Sequence, residues 1–108
     1  MRIIIGAALI AILVLTSLLL LAADAAKGKQ IYMSKCAACH DQSGNGKEAI
    51  GKILKVTMKP LGSKEVQDKK DEELKNIILK GEGKMKPVAI SPLEATDVVA
   101  FLHTLAKK

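Results

Sequence analysis

The stretch "CAACH", residues 36–40, holds both cysteines of the chain and one of its two histidines. On a helix, positions i, i+3 and i+4 share one face. Cys36, Cys39 and His40 therefore point the same way, two thiols and an imidazole along a single edge.

What surrounds this cluster limits its use. The 108 residues allow one small domain, and a formal net charge of +6 makes it basic. The apolar share of 49% overstates the core, because much of it lies in the uncharged run from Ile3 to Leu21. That run follows Arg2 and leads into Ala23-Asp24-Ala25, an A-x-A pattern, so residues 1–25 read as a secretory signal peptide cut after Ala25. Left uncut, the run is long enough to be an N-terminal membrane anchor. No cysteine lies near Ala22 to Ala26 to carry a lipid. The domain proper is expected at 26–108, exported to a bacterial periplasm. Among its aromatic side chains are only Tyr32 and Phe101. So small a domain needs a staple, metal or cofactor to fill its centre.

Helical periodicity runs through this domain. Lys27 to Cys39 is rich in helix formers and ends at "DQSGNGK". Over Lys47 to Val56, the residues Ile50, Ile53 and Leu54 recur at the spacing of one buried stripe. Pro60 and Gly62 break the chain. Leu74, Ile77 and Ile78 mark a helix over Asp71 to Lys80, stopped by Gly81. Ser91, Pro92 and Glu94 form a capping box for a last helix whose apolar face is Val98, Phe101, Leu102 and Leu105. No β-type alternation occurs, so the fold class is all-α, three to five helices around a cofactor.

Four uses of the cluster compete. A structural zinc site needs four nitrogen or sulfur ligands, and only His103 remains to join these three. A thioredoxin-like dithiol would sit beside a βαβ pattern, which is missing. A plain disulfide, common in exported chains, leaves His40 without a role. Covalent attachment of a c-type haem uses all three residues: each thiol adds to a vinyl group and the imidazole takes an axial position on the iron.

With that motif the chain resembles the class I c-type cytochromes, in particular small bacterial monohaem carriers. "GKQIYMSKCAACH" is similar to the family's first helix and "DQSGNGK" to its glycine-bearing loop. "ILKGEGKMKP" resembles the segment that delivers the second axial ligand, and "SPLEATDVVAFLHTL" the C-terminal helix. The resemblance implies that Gly28 and Tyr32 meet Phe101 and Leu102 across the first and last helices. It also implies one haem c, held by Cys36 and Cys39, with His40 and Met85 on the iron. Met85 follows Gly81 and Gly83, which permit sharp turning, and precedes Pro87, which stiffens the exit. Met58 is the alternative ligand, and filling a gap in the core is the blander role for Met85. Met33, one turn before Cys36, lies on the His40 side, and His103 falls off the apolar face of its helix toward solvent.

Iron saturated by histidine and methionine has no open position, so the expected work is one-electron transfer between redox proteins by a monomeric carrier, not catalysis. Lys35, Lys47, Lys84 and Lys86 would favour partners with acidic docking surfaces if they ring the haem edge; a solvated scatter serving solubility is the competing view. Nucleic acid is not expected as a partner, nor a membrane unless the N-terminal run is retained. A haem subunit of a larger oxidoreductase, or a sensor lacking the methionine contact, are the alternative functions.

Overall fold

The computed structural model describes residues 22–107. The signal-or-anchor run expected at the N-terminus falls mostly outside these residues. No helix among the described residues is long and apolar enough to cross a membrane.

The described chain is all-α. Four helices have seven residues or more: α1 (Ala25–Lys35), α3 (Glu48–Leu54), α5 (Asp71–Lys80) and α6 (Pro92–His103). Two single turns, α2 (Ala37–His40) and α4 (Lys64–Gln67), stand between them. The sequence pattern runs Lys27 to Cys39 together, but the helix breaks at Cys36, whose backbone (φ −116°, ψ −35°) closes α1 and opens α2. The amide of Cys39 reaches back only three residues, to the carbonyl of Cys36, so the chain is tightened where α2 begins.

The core forms where α1 and α5 pack on α6. Tyr32, Leu74, Ile78, Ala95, Val98, Val99, Phe101 and Leu102 are buried in it, with Val66 from α4. The rings of Tyr32 and Phe101 lie 5.1 Å apart at 52°, a tilted pair that adds to their apolar burial. Gly28 differs from expectation. It meets Asp97 and Val98, one turn before Phe101 and Leu102, because it sits one turn before Tyr32 on α1. A Cβ there would lie 1.9 Å from the Asp97 carbonyl oxygen, so the helices touch backbone to backbone.

Caps set the helix ends. Ser91 accepts from the Glu94 amide while the Glu94 carboxylate accepts from the Ser91 amide, the capping box read from sequence. Gly81, at φ 79°, ends α5. Over 47–56 the helix is shorter than the pattern suggests, ending where Lys55 turns left-handed (φ 58°). Its stripe is only partly covered: Ile50 and Leu54 are half-buried, while Ile53 is 73% exposed. Among the described residues the main helix contacts are made by α1, α2, α5 and α6, and α3 has no comparable partner. His103 lies on the exposed side of α6 as expected, yet it is not free. Its Nδ1 meets Gln67 Oε1 at 2.9 Å and its Nε2 meets Asp71 Oδ1 at 2.7 Å, linking α4, α5 and α6.

Candidate functional site

The break at Cys36 shapes the cluster. The amides of Cys39 and His40 both point back to the Cys36 carbonyl, at 3.2 and 3.0 Å, so the three residues occupy one tight turn. Both thiols are free; Cys36 is half-buried and Cys39 exposed. Burial, and then the neighbouring Cys39, push the Cys36 thiol up.

His40 is half-buried, and its Nδ1 is buried without a hydrogen-bond partner. Burial holds its imidazole below the usual range, which keeps it neutral near pH 7. An unpartnered buried nitrogen costs about 1–3 kcal/mol. A neutral imidazole is also the form that binds a metal. Beside two free thiols, this donor set fits a macrocycle that is attached through sulfur and bound through its central metal.

The loop after His40 closes the end of α2. Gly46 donates to the His40 carbonyl and Lys47 to the Cys39 carbonyl, each at 2.9 Å, so carbonyls orphaned at the helix end are satisfied by the loop. This return needs left-handed backbone at Gly44 (φ 80°) and Gly46 (φ 82°). Asp41 also has positive φ without being glycine. Its carbonyl accepts from the Tyr32 hydroxyl at 2.6 Å, and its carboxylate accepts from Ser43 Oγ at 2.7 Å.

The two candidate methionines are held differently. Met58 lies against Gly46, where a Cβ would come within 2.4 Å of its own Cβ. Met58 is thereby tied to the loop that caps His40. Met85 belongs to a separate turn, in which the Glu82 and Met85 amides and carbonyls bond reciprocally at 2.9 and 3.0 Å. Gly83 supplies the left-handed residue (φ 55°) within that turn. A side chain on Gly81 would strike the Met85 carbonyl and Pro87, and Val88 donates to the Ile78 carbonyl at 2.8 Å. A half-buried Met85 is thus carried on a turn fastened to the end of α5.

Cys36, Cys39 and His40 are brought together as the motif requires, and Met85 stands on its own turn between α5 and α6. Asp41 and Asp24 were not among the residues expected to matter. Nothing in the sequence signals positive φ at an aspartate. Asp24 did carry a signal: an aspartate directly before a helical run is a helix cap.

Comparison with known proteins adds two findings. The family model described as "Cytochrome C oxidase, cbb3-type, subunit III" matches residues 23–102. A solved structure, "KustC0563 c-type cytochrome", is similar at a TM-score of 0.63 and 24% identity, over 74% of this chain and 98% of that one. At that identity the likeness concerns the fold. No curated protein matches the chain.

Proposed function

Since the chain belongs to the cbb3-type subunit III family of c-type cytochrome domains, in which haem serves electron transfer, we propose that it is an exported carrier of single electrons with one haem c on Cys36 and Cys39 and with His40 and Met85 as iron ligands. The observation that carries this reading is the half-buried His40, whose Nδ1 is buried without a partner, next to the chain's two free thiols. Only one CxxCH occurs in the sequence, which argues for a single haem.

The haem supplies a one-electron iron couple; the chain does the rest. Cys36 and Cys39 would hold it through thioethers, preventing its loss outside the cytoplasm. His40 offers its ring nitrogen from a turn whose carbonyls are closed by Gly46 and Lys47. Met85 would offer a neutral, soft sulfur from a turn fixed at both ends, a ligand type that would favour the ferrous state and raise the potential relative to a harder one. Were His40 and Met85 both to hold the iron, no position would be left for substrate, which argues for transfer over catalysis. Exposed Lys35, Lys47, Lys84 and Lys86 suit acidic docking surfaces on redox partners.

Mass spectrometry of the denatured protein tests attachment. A mass exceeding that of the chain by one haem is expected, and the Cys36→Ser, Cys39→Ser double variant should lose the excess. A wild-type chain without covalent haem would refute the proposal. The family's description as a cbb3-type oxidase subunit favours a second reading, a subunit of a larger oxidase; a stable partner retained through purification would replace the free carrier by that subunit.

A further inference from the structure

An A-x-A pattern at Ala23-Asp24-Ala25 points to leader cleavage after Ala25. In the fold, that bond lies at the first residue of α1, and the cut would discard Asp24, which the domain uses in three ways. Its carboxylate Oδ1 accepts from the amides of Ala26 at 3.0 Å and Lys27 at 3.1 Å, satisfying donors that helix geometry leaves unpaired. Its carbonyl accepts from Gly28 at 2.9 Å. Its own amide donates to Asp97 Oδ1 at 2.8 Å, across 73 residues of sequence.

Asp97 is the buried acidic residue of the core, 8% exposed. It lies on α6 where Gly28 lets the two backbones touch. A carboxylate so placed is costly unless paired, and Asp24 is its partner. We infer that Asp97 is the docking site of a retained Asp24, a residue the mature domain is built to include: the exported chain is processed N-terminal to Asp24 or not at all, and not after Ala25. At the Ala23–Asp24 bond the last leader residue is small, Ala23, but Leu21 takes the third-last place, so the A-x-A pattern is not met there and an uncut leader is the alternative. Hydrolysis of the Ala23–Asp24 bond would consume one water and leave a carboxylate on the released leader and an α-amino group on Asp24. Protonated, that group remains a donor to Asp97 and makes the bond charge-assisted. The inference rests on the export reading above.

The experiment has two arms. Holoprotein isolated from an exporting bacterium is analysed by N-terminal sequencing and intact mass. A first residue at Asp24 or upstream is expected; Ala25 or later overturns the inference. A chain found only in the cytoplasm without haem would instead defeat the export premise, and the inference with it. In the second arm, holoproteins beginning at Asp24 and at Ala26 are unfolded in guanidinium. Loss of the cap and the orphaning of Asp97 should raise the unfolding constant of the shorter chain roughly 10- to 100-fold. Asp97→Asn should destabilise the chain beginning at Asp24 and have much less effect on the one beginning at Ala26. Equal stability of the two chains, or an equal effect of Asp97→Asn in both, removes Asp97 as the retaining group.

Discussion

The hydroxyl of Tyr32 donates to the carbonyl of Asp41 at 2.6 Å, and Asp41, the residue after His40, holds φ 70° and ψ 160°, a conformation that residues with a side chain rarely take. Tyr32 is fully buried between α1 and α6. The core therefore reaches out through one phenol to fix the main chain beside the imidazole. The Asp41 carboxylate, accepting from Ser43, braces the same residue from the loop side.

Tyr32→Phe should keep the ring packing against Phe101 and lose the bond, lowering stability by about 1 kcal/mol. Burial, followed by the nearby Cys36 and Asp41, pushes the Tyr32 phenol up to about 12. The folded state thus holds this proton where the unfolded chain, titrating near 10, releases it. The contribution of Tyr32 is complete below pH 10 and is lost as pH rises toward about 12. Guanidinium midpoints across that window should fall more steeply for wild type than for Tyr32→Phe; parallel curves would contradict the assignment.

Asp41 separates strain from side-chain bonding. Glycine at this position relieves a backbone cost of about 1–3 kcal/mol, while alanine keeps the strain and loses the bonds to Ser43. Asp41→Gly should therefore be more stable than Asp41→Ala by about 1–2 kcal/mol. Thermal unfolding of the two variants compares them directly, and the reverse order would show that the residue is not strained.

Gly28→Ala places a Cβ where the Asp97 carbonyl already lies. The obstacle is main chain on a packed helix, so α1 and α6 must move apart. A loss of at least about 2 kcal/mol is expected, together with a blue-shifted, weakened near-ultraviolet signal from Tyr32. A Gly28→Ala protein as stable as wild type would mean that the helices do not touch there.

Met85 decides between carrier and sensor. Met85→Ala should open the sixth position and bind carbon monoxide when reduced, whereas wild type should not. Met85→His should remain low-spin at a lower potential. Met58→Ala should leave the iron–sulfur absorption of the oxidised protein intact. Survival of that band in Met85→Ala and its loss in Met58→Ala would transfer the ligand role to Met58.

Much of the architecture was legible because it rests on local chemistry. Asp71 to Lys80 with its Gly81 stop, and the Ser91 capping box, are encoded within a few residues and were found where the patterns place them. Val98, Phe101 and Leu102 on the apolar face of α6 were readable from their spacing for the same reason, whereas Leu105 lies past the end of the helix and is half-buried. What escaped depends on distant partners. Ile53 fits a helical stripe, but among the described residues no helix packs closely enough on α3 to cover it. The register of Gly28 on Asp97 is a property of two helices together, and no single stretch contains it. His103, read as a solvent-facing residue, finds Gln67 and Asp71 only because α4 and α5 fold beside it. In the cluster itself, residue types and spacing were plain, but the break at Cys36 and the positive φ of Asp41 were not.

The pairing of α1 with α6 also bears on the order of events during synthesis. The first helix of the domain meets its partner only near the end of the chain, as the Asp24 to Asp97 bond across 73 residues shows. Contacts so far apart in sequence form late and carry a large loop-closure cost. A chain threaded N-terminus first therefore has no packed core when residues 36–40 emerge. Its thiols emerge before the last helix exists, and arrival of that helix leaves Cys39 exposed and Cys36 half-buried.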